Sequence, residues 1–423
     1  MAFPGEAKRS RQAEHGTAEH VAPGIAAIFR LAGFSRLWVL GGVVNALRWV
    51  EVLAAGLFTF GETRSGLAVA LVLVARSLPL LCFGAMAGVL ADSLDRKRML
   101  FWGLVLSAAA AAAVCGLAAG GWVRPWHVAV AAFVSGTVWA TELSVRRRMI
   151  GEIGGPGLVS KVIALDSLTN SLARIAGPLA GSLSFAAFGL EGAYLLSACC
   201  YLACALMVPG IRYNQVLRPL ALAGLPRQLA EGFDYARRNP SVLTVLGVTA
   251  TMNLFAFSYS AMVAPIVRLG FGVSDAMAGL LPAGEPLGAL LGGLMLTVWT
   301  PRFDQRLLMM LGSAVFLGAL TLLPLMPDFA AACLSLVLGG LGLAVFGNMQ
   351  SSLILMHVPA ALRSRQMGLI TVSIGVSPLG QVLIGILSEG LGPLLAVTAS
   401  ASTGLLALGV IAVLQWKGPP AGR

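Results

Sequence analysis

Charge is what this chain has least of. Asp, Glu, Lys and Arg make up 11% of its 423 residues, against about 25% in an ordinary soluble domain. That excludes a water-soluble globular class. Histidine is nearly missing: His15, His20, His127 and His357 are scattered, so no metal site is expected. The six cysteines, Cys82, Cys115, Cys199, Cys200, Cys204 and Cys333, all lie in apolar runs, and none stands at metal-ligand spacing from a histidine. They read as small core or lipid-facing residues. No Gly-x-x-x-x-Gly-Lys-Ser/Thr loop occurs, which argues against an ATP-driven pump. No Ser/His/Asp or metal-hydrolase constellation appears, so the chain is not expected to be an enzyme, and no cofactor is expected. The start lacks a charged segment followed by an apolar core and cleavage site, so no signal peptide is expected. The short alternating segments of a membrane β-barrel are absent as well.

What is present is apolar length. Mean hydropathy is +0.85, and runs of about 20 apolar residues recur along the chain, each long enough to cross a bilayer as a helix. We expect an all-α membrane protein with twelve transmembrane helices in two six-helix bundles. The spans fall near 35–60, 66–91, 99–120, 126–145, 160–188 and 192–209, then 241–269, 276–298, 306–325, 329–352, 366–388 and 392–416. This gives an N-terminal tail (1–33), a first bundle (34–209), a linker (210–240), a second bundle (241–416) and a short tail (417–423).

The net charge of +11 suggests nucleic acid until its distribution is drawn. Arg64, Arg124 and Arg268 fall on one side of the membrane and Arg48, Arg76 and Arg174 inside helices. The other 23 of the 29 basic residues share the opposite side. Such asymmetry is topology, with the basic side cytoplasmic, and no nucleic-acid partner is expected. An even number of spans puts both termini inside. In the linker, Leu229, Phe233 and Ala236 share one helical face, which predicts an amphipathic helix lying on the inner membrane surface and ended by Pro240.

One loop organises the chain. An apolar run ends at Ala91, a dense charged stretch follows, and the next run begins at Met99. Gly88, Leu90, Ala91, Asp92, Arg96 and Lys97 lie close to the pattern Gly-x-Leu-Ala-Asp-x-x-x-Arg-Lys/Arg of the major facilitator superfamily, and Asp95 stands where its enterobactin-exporter and macrolide-efflux-like branch often has Asp. The chain resembles that branch over about 34–416. Other traces are Glu231-Gly232-Phe233-Asp234-Tyr235-Ala236-Arg237-Arg238-Asn239-Pro240, the Gly177-Pro178 segment, and Arg302-Phe303-Asp304-Gln305-Arg306, a degenerate copy of the 92–98 loop. The resemblance implies that Asp92, Arg96 and Lys97 pair across the cytoplasmic face and lock one conformation, with Glu142 as partner of Arg96. The Gly-Pro segment resembles the antiporter motif in shortened form; its small residues and proline let a neighbouring helix approach closely.

Ionisable groups inside the membrane are costly and mark cavities or partners. Asn45, Arg48 and Glu51 share one face, where Arg48 and Glu51 can pair along the helix. Arg76 precedes Leu78-Pro79. Asp166, Asn170 and Arg174 share another face, and Asp166 can pair with Arg174. Glu285 sits between Pro282 and Pro286. Burial raises a carboxylate's pKa, so Glu51 and Glu285 are the proton-carrier candidates. Asn253, Tyr259, Asn348, Gln350 and Gln381 are weaker candidates that bond either a ligand or a neighbouring helix. The run Arg146-Arg147-Arg148 reads as an anchor to anionic lipid.

Together these imply a monomeric secondary transporter of a bacterial-type inner membrane, with protons, membrane lipids and a small molecule as partners. The resemblance points to export of a drug- or siderophore-like compound. The nameable cavity groups are few and mostly neutral, which suits a partly hydrophobic cargo. A lipid or lysolipid flippase and a transport-dead sensor are the alternatives.

Overall fold

The computed structural model describes residues 28–215, 225–298 and 304–416. The side chains of 84–92, Gly88 and Asp92 among them, lie outside the described residues, as do most of the N-terminal tail, the C-terminal tail, Arg302 and Phe303. The structure is all-helical. Ten of its helices are long and apolar enough to cross a membrane among the described residues.

In order these are α1 (Phe34–Thr63), α2 (Gly66–Ser93) and α3 (Arg96–Ala119). A long run, Pro125–Met207, is turned twice, at Gly155 (φ 58°) and Gly189 (φ 67°). We divide it into α4 (125–154), α5 (156–188) and α6 (190–207). Then come α7 (Leu225–Arg238), the segment α8 (Pro240–Gly270), α9 (Leu280–Val298), α10 (Gln305–Thr321) and α11 (Phe329–His357). The expected eleventh span is broken into α12 (Ala360–Ile374) and α13 (Ser377–Leu391), and α14 (Pro393–Trp416) closes the chain. Pro378, in the first turn of α13, has no N–H to continue the ladder.

Several boundaries differ from expectation for one reason. Hydropathy marks where the chain leaves the apolar layer, but a helix ends only where its backbone is turned. Thus α4 runs on past residue 145 to the turn at Gly155, carrying Arg147, Arg148 and Glu152 out as helical residues. α10 begins where Asp304 accepts from the Arg306 amide (2.7 Å), as Asp95 accepts from the Arg98 amide (3.0 Å) ahead of α3. The resemblance between the two loops is therefore a shared helix cap.

The linker helix α7 is docked on the second half. Glu231 pairs with Arg365 (2.6 Å), the Gly232 carbonyl accepts from Gln366 (2.8 Å), and the Tyr235 hydroxyl donates to the His357 carbonyl (3.0 Å). Ala236 is buried in that contact while Phe233 is 55% exposed, so the two do not share one buried face. Gly232, which needs no room for a side chain, takes the buried position instead. Leu229's side chain lies outside the described residues.

Three buried clusters hold the structure. Two belong to the first half, one around Phe34, Leu104 and Met149, the other around Val50, Val114 and Tyr194. The third fills the second half and takes in Leu53, Leu57, Phe60, Val69, Ala70 and Leu73 of α1 and α2. The halves thus share a core toward the end of α1 away from the basic loops.

Gly177 permits a close helix approach within the first half. A Cβ there would lie 2.5 Å from the Ala46 carbonyl oxygen of α1, closer than atoms tolerate. Gly177→Val should therefore cost about 1–3 kcal/mol through overpacking, read as a lowered midpoint of thermal unfolding in detergent. An unchanged midpoint would refute the close α1–α5 approach.

Candidate functional site

A cavity of about 530 Å³ lies between the two halves, lined from α1, α2, α4, α5, α8, α9 and the α12–α13 break. It takes in most of the expected residues: Asn45, Arg48, Arg76, Asp166, Asn170, Arg174, Asn253, Glu285 and Gln381. Glu51 lies just behind the wall, buried against Arg76. Asn348 and Gln350 are elsewhere; Asn348 bonds its own helix at the Ala344 carbonyl and Gln350 reaches Thr249 (2.6 Å).

The expected pairings within single helices do not form. Glu51 binds Arg76 of α2 (3.2 Å) and accepts from Ser135 of α4 (3.0 Å), tying three helices together. Arg48 turns instead to aromatic faces, its guanidinium 3.7 Å from the Trp139 ring centroid and 5.4 Å from that of Trp49. Asp166 pairs with Arg146, not with Arg174. Arg174 crosses to the second half and pairs with Glu285, which also accepts from the Tyr259 hydroxyl (2.9 Å). In each case a partner across a helix interface removes both groups from the apolar layer, which a pair along one helix surface does less completely.

Arg146 is corrected most. It is no lipid anchor: it is 1% exposed and binds Glu142 (2.5 Å) as well as Asp166. Its neighbours Arg147 and Arg148 are exposed. Glu142 is thereby spent one turn below the loop and does not meet Arg96. Arg96 pairs with Glu152, 2.8 Å to each carboxylate oxygen, and Tyr213 bonds both. Burial and then the hydrogen bond to Glu152 push the Tyr213 hydroxyl up to about 12, so it stays a donor at any working pH. Lys97 donates to the Pro209 carbonyl (3.2 Å). Thus Arg96 and Lys97 knit the basic face within the first half.

Backbone irregularity is concentrated in α8. It is α-helical to Thr251, π-helical over Met252–Ala256, 3₁₀ over Phe257–Met262 and π-helical again over Ile266–Gly270. Such irregular turns recur at functional sites; here they set Asn253 and Tyr259 toward the cavity. Asn253 nevertheless bonds its own helix at the Thr249 carbonyl (2.9 Å). Gln381 accepts from Ser77 of the first half (3.0 Å).

At the end away from the basic loops the halves are latched. Glu389 accepts from the Ser65 hydroxyl (2.7 Å) and the Leu67 amide (3.1 Å). A Cβ on Gly279 would lie 2.4 Å from the Pro178 carbonyl oxygen, so α5 meets the second half backbone to backbone. Toward the basic face the cavity is lined by Arg147, Ser167 and Gly375. The site is more charged than its sequence suggests, with five arginines in the wall. Trp49, Trp139 and Ser135 carry no mark in the sequence, and Arg146 stands out there only within its basic run, although its four-residue step from Glu142 signals a pair. Among the described residues no group of three or more His, Cys, Asp or Glu is placed to hold a metal ion.

Comparisons with known proteins agree with this architecture. The family model described as transmembrane secretion effector, of the MFS class, matches residues 23–421. The chain is 28% identical over 267 residues to the enterobactin exporter EntS of Escherichia coli O1:K1, covering 59% of this chain and 60% of that protein. It is 24% identical over 252 residues to the MFS-type transporter YfiS of Bacillus subtilis, covering 57% and 58%. The match therefore spans less than two thirds of either relative. Among solved structures it is similar to the nucleoside transporter NupG (TM-score 0.70, 15% identity, 91% of this chain and 99% of that one). It is also similar to an inward-facing, unoccupied bacterial homologue of the human lysosomal transporter Spinster (TM-score 0.65, 14% identity, 90% and 95%).

Removing Arg146 strands two buried carboxylates. Arg146→Met should cost about 3–5 kcal/mol, seen as loss of folded protein by size-exclusion fluorescence. Adding Glu142→Gln and Asp166→Asn should restore much of it. Failure of the triple variant to recover would mean that Arg146 acts through packing alone.

Proposed function

The chain belongs to the transmembrane secretion effector family of major facilitator transporters, and from that premise we propose that it is a proton-coupled exporter of small organic molecules working by alternating access. The drug or siderophore class of cargo is supported by its likeness to an enterobactin exporter. Two six-helix bundles would rock about the central cavity. The twelve spans are the ten long helices, with 157–210 divided at Gly189 and the shorter apolar Gln305–Thr321 added. The basic face is cytoplasmic by the positive-inside rule, with both termini inside and the protein in the bacterial inner membrane. In that frame the closed latch at Glu389 and the cavity's extension toward Arg147 make this the inward-open arm of the cycle.

The observation that carries the reading is the Arg174–Glu285 ion pair inside the cavity. It links α5 of the first half to α9 of the second at membrane depth. Glu285 is 4% exposed. A proton on its carboxylate cancels the charge that holds Arg174 and releases this link between the halves. Proton binding and bundle movement are thereby the same event. Glu51, held by Arg76 and Ser135 inside the first half, ties no element across the halves and ranks second as carrier. Arg96, Lys97 and Glu152 keep the first bundle rigid while it moves. The cargo-contacting groups are Arg48, Asn45, Asn170, Asn253 and Gln381. The protein acts as a monomer, with no cofactor and no catalytic residue.

The test is proton movement in vesicles holding the purified protein while lipophilic drugs and siderophores are added. We expect substrate-dependent proton flux in the native protein and its loss in Glu285→Gln, with membrane insertion intact. pH-driven transport retained in Glu285→Gln would return Glu285 to a purely structural role.

A further inference from the structure

The charges around the cavity are unevenly paired: Arg146 takes two carboxylates, Glu142 and Asp166, and Arg48 takes none among the described residues. Arg76 is neutralised by Glu51 and Arg174 by Glu285. Asp166 is taken by Arg146. Arg48 lines the same cavity and has no acidic partner among the described residues. Its guanidinium is held instead by Trp139 and Trp49. We propose that the cavity selects organic anions bearing an aromatic ring, with Arg48 receiving the anionic group. This rests on the transporter reading above and narrows its cargo class.

A guanidinium has two kinds of surface. Its flat face stacks on an aromatic ring, and its edge carries five N–H donors. At Arg48 the face is used by Trp139, while no hydrogen bond uses the edge among the described residues. Stacking of this kind contributes less than a cation costs at membrane depth. The residue is therefore held in place without an anion on its edge among the described residues. A carboxylate or comparable oxyanion supplies what is missing, since it accepts two parallel N–H bonds from the edge without displacing the stacked indole. Trp49 and Trp139 beside it offer apolar faces to the rest of the ligand, and Arg174 also approaches Trp49 (5.5 Å). The volume, about 530 Å³, is in the range of pockets that take drug-sized molecules.

The same arrangement disfavours cations. Glu51, Glu142, Asp166 and Glu285 each already face an arginine, so a cationic ligand finds every carboxylate already paired and meets Arg48. A neutral ligand gains the aromatic faces but leaves the guanidinium edge unsatisfied.

The experiment is calorimetric titration of the purified full chain in detergent with three molecules on one scaffold: 2-naphthoate, 2-naphthamide and 2-naphthylmethylammonium. The naphthoate should bind about tenfold or more tighter than the amide, the gain of a charged hydrogen-bonded pair, and the ammonium weakest. Arg48→Gln should erase the preference, and Arg48→Lys should keep part of it. Acetate, which has the charge and no ring, should compete only weakly. Equal or tighter binding of the amide or ammonium, absence of saturable naphthoate binding, or an unchanged preference in Arg48→Gln overturns the proposal. Equal competition by acetate overturns its aromatic part. Because binding is read at equilibrium without a gradient, this outcome is separate from the proton-flux test of transport.

Discussion

A cation in the middle of a bilayer must be answered, and the interior of this protein is arranged around that requirement. Arg76, Arg146 and Arg174 are answered by carboxylates on other turns or other helices. Each answer fixes a contact: α1 to α2 and α4, α4 to α5, α5 to α9. In an apolar layer without a hydrophobic drive between helices, such polar links and close small-residue packing set which helices meet. Among the described residues two polar links cross between the halves at depth, the Ser77–Gln381 hydrogen bond and the Arg174–Glu285 ion pair, and only the second is charged.

The remaining contacts between halves gather toward one face. There the cores merge through α1 and α2, Gly279 lets α5 touch backbone, and Glu389 accepts from the start of α2. At the other face the arginine-rich loops fold onto their own half. The asymmetry follows from the chemistry of each end. Small residues and a single carboxylate make a closure that can part, whereas Arg96, Glu152 and Tyr213 make a rigid knot within one half.

Which residues line the cavity was largely legible from the chain; whom they meet was not. Intramembrane charge is rare enough that Arg48, Arg76, Arg174 and Glu285 stand out by composition alone, and the structure brings all four to one cavity. Their partners depend on the rotation and height of neighbouring helices, about which spacing along one helix is silent. That is why Arg48 and Glu51, three residues apart, bind elsewhere. Arg146 was hidden by its two exposed neighbours, and Glu152 by a helix that continues past its apolar part. Trp49 and Trp139 were indistinguishable from ordinary packing residues, since an aromatic in an apolar run carries no mark of the cation it will hold.

The docking of α7 has a mechanical consequence. In sequence, some thirty residues separate the halves, enough slack for almost any excursion. Yet Tyr213 and Gln215 are bonded to the first half, and Glu231, Gly232 and Tyr235 to the second. Residues 216–224 lie between these two sets of contacts. A chain of that length reaches at most roughly 30–36 Å when fully extended. Its covalent length alone thus sets an upper bound on how far apart the two anchored ends can lie at the basic face.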